Sequence, residues 1–230
     1  MEPEVSHQYR PVTETILTLG ATLVMGMIDA DTFLNHGAVF VSAQTGNLVV
    51  FVVKLVEHGW GAAWVNVPVW IGYFLGCFGA QGITEHLGKA NKRQQMRWLM
   101  LLDVVAYALL ASLQHVIPTM WLIFLLGIMA GYELTVFRQV GGIGINNGIM
   151  TGNTKNLATN AYRAWFDGDK AARAKQNRLA LVLLTFILGC AVGARLANLT
   201  PLGVLWIAAA LKLILLAWLY VPAAMEKPDA

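Results

Sequence analysis

DADTFLNHGAVFVSAQTGN, residues 29–47, and ELTVFRQVGGIGINNGIMTGN, residues 133–153, are the two stretches on which the fold of this chain turns. Each begins at a carboxylate in the latter part of an apolar run. Each ends at the same tripeptide, Thr45-Gly46-Asn47 in one and Thr151-Gly152-Asn153 in the other. Asp29 pairs with Glu133 and Phe33 with Phe137 at a spacing of 104 positions, the tripeptides pair at 106, and Leu75-Gly76-Cys77 pairs with Leu188-Gly189-Cys190 at 113. The order is kept and the spacing only grows, as expected of a duplicated unit whose second copy carries a longer loop.

The chain around these stretches is made for lipid. Of 230 residues 57% are hydrophobic and 13% charged, and the mean hydropathy is +0.58. A soluble domain carries about 25% charged residues. This balance excludes an ordinary soluble enzyme, a disulfide-stapled secreted module and a disordered chain. Cys77 and Cys190 each sit inside an apolar stretch and read as small packing residues rather than a disulfide or metal pair. The first apolar run follows Glu14 without a basic leader or a small-residue cleavage site, and reads as a retained span.

Hydropathy windows of about 19 residues give six crossings, at 14–34, 62–84, 98–117, 119–140, 179–199 and 202–222. Two further stretches, 38–58 and 143–166, are interrupted by the Thr-Gly-Asn tripeptides, and the second is too polar to face lipid. Lys89, Lys92, Arg93 and Arg97 crowd one loop, and Lys155, Arg163, Lys170, Arg173, Lys175 and Arg178 another. Cytoplasmic loops collect positive charge, so both belong on one face, which requires 143–166 to dip in and return. The same rule places Arg10, Lys227 and both termini in the cytoplasm. A seven-span version, with 32–53 crossing and the amino terminus outside, stays open.

Three spans per half is an odd number, so the second half enters the membrane upside down. The expected fold is an all-α polytopic membrane helix bundle. It is a single membrane domain over 1–230, an inverted 3+3 repeat with repeat 1 at 14–117 and repeat 2 at 119–222. Two re-entrant, broken segments carry the Thr-Gly-Asn motifs. Non-helical backbone at that depth needs protein or a water-filled cavity to satisfy its amides. Thr or Asn is expected to cap the half-helix that follows, and two half-helix N-termini converging at the midplane favour an anionic or carboxylate-bearing solute.

The run Asp29-Ala30-Asp31-Thr32-Phe33-Leu34-Asn35-His36-Gly37 to Phe40, then Ala43-Gln44-Thr45-Gly46-Asn47, and later Met150-Thr151-Gly152-Asn153, resembles the YoaK family of bacterial multi-pass membrane proteins. The resemblance covers residues 15 to 220. It implies a bacterial inner-membrane location and supplies no substrate, cofactor or assigned site.

Ionisable groups inside spans are costly and default to functional suspects. Asp29 and Glu133 are assigned as gating or proton-coupling groups, and the alternative is a buried carboxyl that only holds helices together. Thr45, Gly46, Asn47, Thr151, Gly152 and Asn153, with Gln44 and Asn147, are assigned to a solute site or pore lining. His36 and Asn146 flank them, and all of these polar groups also serve to satisfy irregular backbone. Asp103 and Lys212 read as a structural ion pair with nothing to tie it to the repeat, Asp31 as solvated, and Arg138 as a snorkelling side chain. Glycines four apart, such as Gly72 with Gly76, Gly127 with Gly131 and Gly189 with Gly193, read as helix-packing positions, with a homodimer face as the alternative. No nucleophile, phosphate loop, metal-ligand spacing or nucleic-acid reader is present in the sequence. The expected partners are the lipid bilayer and a small solute, with no nucleic acid, no metal and no cofactor. The leading function is a small-solute transporter or channel, ahead of a non-transporting scaffold or regulator and of a membrane-embedded enzyme.

Overall fold

The structure is a computed structural model that describes residues 11–87, 92–200 and 203–220. Among these the chain forms α1 (Pro11–Asn35), α2 (Gln44–His58), a short α3 (Trp60–Ala63) continued by a 3₁₀ turn (Trp64–Asn66), and α4 (Val67–Leu87). It continues with α5 (Lys92–Leu113), α6 (Thr119–Val136), a two-stranded hairpin of β1 (Gln139–Val140) and β2 (Ile143–Gly144), α7 (Met150–Phe166), α8 (Lys170–Leu199) and α9 (Gly203–Trp218). Five helices are long and apolar enough to cross a membrane, and Gly203–Trp218 is a shorter apolar helix. Each of the six expected spans overlaps one helix, α1, α4, α5, α6, α8 or α9, with ends that differ by several residues, and positions 202, 221 and 222 of the last lie outside the described residues. At 15 residues, α2 is about 22 Å long, short of a hydrocarbon core of about 30 Å. Side chains such as Phe74, Phe78, Leu184, Ile187 and Leu188 point outward from the bundle, as lipid-facing surface must.

Two parallel helix pairs form the body, and glycine makes each possible. A Cβ on Gly72 would strike the carbonyl of Phe124 and one on Gly76 that of Ile128, while Gly127 and Gly131 lie equally close to Val69 and Tyr73. Backbone therefore rides on backbone between α4 and α6, and contacts advance by one turn on both helices together, so the two run in the same direction. On the other side Gly189 meets Leu23 and Gly193 meets Met27, which sets α8 parallel to α1 in the same way.

The direction of the remaining helices follows from contacts at one end. Lys92 pairs with Glu14, the Gly141 amide donates to Thr15 Oγ1, and the guanidinium groups of Arg93 and Arg97 donate to the Leu219 carbonyl. The start of α1, the start of α5, the turn after α6 and the end of α9 thus share one end. Arg178 of α8 joins them against Gly141. Helices α1, α5 and α8 leave this end, and α4, α6 and α9 return to it. Lys92, Arg93, Arg97 and Arg178 of the two basic stretches gather here, while Lys54 donates to the Gly37 carbonyl and Asn66 Oδ1 at the far end; Arg10, Lys89 and Lys227 lie outside the described residues. Helix α8, at 30 residues, is about 45 Å long, about 15 Å more than the thickness of a hydrocarbon core, and Lys170, Arg173 and Lys175 lie in its first two turns.

Three details differ from the sequence reading. The expected 119–140 span stops at Val136, because a hairpin turn of Gly141 and Gly142, with φ of 56° and 79°, follows it; only glycine adopts two such angles in succession at little cost. Among the described residues this hairpin is the only sheet, and the other regular elements are helical. Asp31 is buried rather than solvated, because Asn35 donates to its Oδ1 and His36 stands 3.9 Å away. The half-helices lack the expected cap: neither α2 nor α7 has a side chain bonded to its first-turn amides.

Gly76→Ala forces a methyl against the Ile128 backbone and should destabilise the protein by about 1–3 kcal/mol. Gly79→Ala, on the same helix with open space around it, should change stability by less than about 0.5 kcal/mol. Thermal unfolding in detergent micelles, followed by circular dichroism, reads the difference; equal melting temperatures would refute the close packing of α4 on α6.

Candidate functional site

Between α1 and α2 the chain turns back on itself. Residues 36–43 run inward from the far end, and Val39, Val41 and Ser42 are fully buried. What holds this irregular backbone is the asparagine of the tripeptide. Asn47 Oδ1 accepts from the Phe40 amide at 3.0 Å and its Nδ2 donates to the Phe40 carbonyl, so one side chain satisfies both backbone groups of a residue seven positions earlier. Gln44 supports it, donating to the Val41 carbonyl and accepting from Asn47. The same arrangement recurs after the hairpin. Asn153 Oδ1 accepts from the Asn146 amide at 3.4 Å and its Nδ2 donates to the Asn146 carbonyl at 2.7 Å, again seven positions back.

The motif asparagines are thus buried clamps, while Thr45, Thr151 and Gly152 lie on the outward side of their helices and Gly46 is half-buried. The residues that touch are a few positions earlier. Ser42 Oγ lies 2.9 Å from the Gly148 carbonyl oxygen, and the two residues are 106 apart in sequence, the spacing of the tripeptides themselves. A Cβ on Gly148 would sit 2.7 Å from that of Ser42, so the two inward segments abut without space for a methyl group.

The matched carboxylates have different surroundings. Asp29 Oδ1 accepts from the Ser42 amide at 3.0 Å, and its Oδ2 bonds the Ser42 hydroxyl. The residue standing where Ser42 does, 106 positions on, is Gly148, which offers no side chain. Glu133, one methylene longer, turns instead to Lys212, whose Nζ lies 2.7 Å from Glu133 Oε2 and 2.7 Å from Asp103 Oδ2. Tyr107 donates to Glu133 Oε1 at 2.6 Å, and Asn147 Nδ2 reaches the Glu133 carbonyl at 3.4 Å. The Lys212 ammonium also stands over the rings of Phe137, at 5.1 Å, and Tyr107, at 5.6 Å. Asp103, Glu133 and Lys212 have no solvent-exposed surface.

Asp103 and Lys212 are therefore not a pair apart, as expected from sequence, but share Lys212 with Glu133 and tie α5, α6 and α9 together. Through Asn147 and Gly148 this cluster is continuous with Ser42 and Asp29. Sequence reasoning missed Ser42, Tyr107 and the Lys212–Glu133 contact. Ser42 was available from the 106-residue spacing, and Lys212 was available as a lysine in the middle of the last span. At the basic end Phe137 also lines a cleft of about 100 Å³ together with Glu14, Lys92 and Arg138, so it adjoins both that cleft and Lys212. Arg138 is exposed there. At the other end His36 lies just beyond α1, and burial holds its imidazole below the ordinary range against the pull of Asp31.

A family model described as a protein of unknown function (DUF1275) matches residues 17–218. The chain belongs to the DUF1275 family. This DUF1275 protein is similar to the UPF0700 transmembrane protein YoaK of Bacillus subtilis (strain 168), with 25% identity over 188 residues that cover 78% of this chain and 82% of that protein. No solved structure matches it. The family, the five long apolar helices and the similarity to a transmembrane protein together make this a multi-pass membrane protein.

Asn47→Ala and Asn153→Ala each strand one backbone amide and one carbonyl, and each should cost about 1–3 kcal/mol. Matched losses in thermal stability are expected, and a loss confined to one of them would refute the equivalence of the two clamps. Lys212→Met leaves two buried carboxyls without their cation and should cost about 3–5 kcal/mol. Adding Asp103→Asn and Glu133→Gln should recover most of it in the same melt.

Proposed function

We propose that this protein is a transporter or channel for a small solute in the bacterial cytoplasmic membrane. In this reading it is an inverted-topology repeat, with Asp29 and Glu133 as its gating or proton-coupling groups. Several observations support the repeat: each helix of the second half runs opposite to its counterpart in the first, α6 to α1, α8 to α4 and α9 to α5, the two asparagine clamps match at one spacing, and Ser42 meets Gly148 where a two-fold axis relating the halves would pass. The basic end is then cytoplasmic, with both termini inside, by the positive-inside bias.

The observation that carries the reading is the Asp103–Lys212–Glu133 cluster, three charged groups with no solvent-exposed surface inside an apolar helix bundle. Ionisable groups at such depth mark ion and proton pathways. Two carboxylates and one ammonium fall one positive charge short of neutrality, and a single proton supplies it. Around Ser42 the count points the same way. A hydroxyl has one proton, yet Ser42 Oγ faces two acceptors, Asp29 Oδ2 and the Gly148 carbonyl, so both bonds form only when Asp29 brings a second proton. The Thr-Gly-Asn segments set this contact: Asn47 and Asn153 fix the backbone, Gln44 supports Asn47, and the buried Asn147 links the segment to Glu133. A solute entering from the basic end would meet Phe137 before Lys212. Two half-helix ends without side-chain caps suit an anionic or carboxylate-bearing solute.

A second reading, a non-transporting scaffold, is favoured by one fact: Ser42 and Gly148 leave no gap between them. Proton flux into pyranine-loaded proteoliposomes under a potassium diffusion potential separates the two. Transport coupling predicts a fall of about tenfold or more in Asp29→Asn and Glu133→Gln, within the range of losing a proton-transfer group. It predicts a further fall in the double variant and a raised leak in Phe137→Ala. Flux in the double variant equal to wild type removes the assigned roles.

A further inference from the structure

Outside the polar core, two clefts on the surface of α5 run into one another. The first, about 450 Å³, is lined by Arg93, Gln94, Arg97, Trp98, Leu101 and Tyr220. The second, about 580 Å³, shares Trp98 and Leu101 with it and continues along Leu102, Val105 and Leu109, with Ile83 and Leu87 of α4 on its far wall. One end of the combined groove is cationic and hydrogen-bonding, and the rest is apolar.

Its dimensions fit one occupant. From Trp98 to Leu109 is eleven helical residues, a rise of about 16 Å, and one leaflet of the hydrocarbon core is about 15 Å deep. Trp98 is half-exposed at the boundary between the two sections, the level at which tryptophan anchors to the membrane interface. The cationic section lies at the end where Lys92, Arg93 and Arg97 gather. Arg97 is held ready for a ligand: its Nε and one terminal nitrogen donate to the Leu219 carbonyl, and its guanidinium stacks at 4.3 Å over Tyr220, so its plane is fixed before anything binds. We propose that this groove is a binding site for one anionic phospholipid, with the phosphate against Arg97 and Arg93 and an acyl chain along Leu102, Val105 and Leu109. The acyl chain of any lipid fits the apolar section of the groove; the guanidinium groups supply the preference for negative charge. A bound lipid in this position would brace α5, whose inner face carries Asp103, against the end of α9, which carries Lys212.

The test uses the full chain in detergent, with phosphatidylglycerol or phosphatidylcholine added and retained lipid counted by native mass spectrometry. Phosphatidylglycerol should bind about tenfold more tightly, the scale expected of one to two guanidinium contacts. Arg97→Gln should remove that preference and leave the two lipids equal. Val105→Trp, at a position about half-exposed to lipid, fills the apolar section without disturbing the bundle and should release both lipids. It keeps the proposal testable if Arg97→Gln loosens α9. Millimolar sn-glycerol 3-phosphate should fail to displace the lipid. Equal retention of both lipids by wild type, a preference unchanged in Arg97→Gln, or retention unchanged in Val105→Trp would each overturn the proposal. Displacement by glycerol phosphate would overturn it too, showing a phosphate site rather than a lipid site.

Discussion

Backbone amides at the centre of a membrane bundle have no water to turn to, and this constraint governs the middle of the protein. Residues 36–43 and 145–149 are irregular and largely enclosed, so each amide and carbonyl needs a partner from the chain. Asn47 and Asn153 answer the need in the same manner, each bonding both backbone groups of the residue seven positions before it. An asparagine is suited to this because its amide presents a donor and an acceptor side by side. The inward segments are held by these clamps, and the contact of Ser42 with Gly148 rests on them.

Where the two segments meet, a single difference in side chain separates the fates of two matched carboxylates. Asp29 has a serine within reach and bonds it. Glu133 has only a glycine in the corresponding place and reaches across to Lys212 and Tyr107. The buried ammonium then serves both Glu133 and Asp103, joining three helices through one cation. Such clusters contribute little net stability against well-packed apolar residues, yet removing one member is severe.

Close packing of α4 on α6 and of α8 on α1 provides the rigid frame. In lipid there is little hydrophobic drive to join helices, so van der Waals contact must do it, and glycine permits the nearest approach. Gly72, Gly76, Gly127 and Gly131 face one another, and Gly189 and Gly193 face α1. These faces are spent inside the protomer. The outer surface of α5, by contrast, is left to lipid, and its cationic end and apolar groove follow from the same helix crossing the interface.

The sequence alone determined the membrane location, the six apolar helices, the common side of the two basic loops and the positions of the two interrupted segments. These depend on composition and on local spacing, which one dimension records in full. It also marked Asp29, Glu133, Asp103 and Lys212, because charge inside an apolar run is conspicuous. The partnership among them was decided only in three dimensions: a lysine at 212 and a glutamate at 133 meet because α9 and α6 both border α5. The roles within the tripeptides were decided there too. Composition cannot tell whether an asparagine faces a pore or turns back to its own backbone, since either satisfies the same hydrogen bonds, and only the path of the preceding residues settles which donors and acceptors are left to bind.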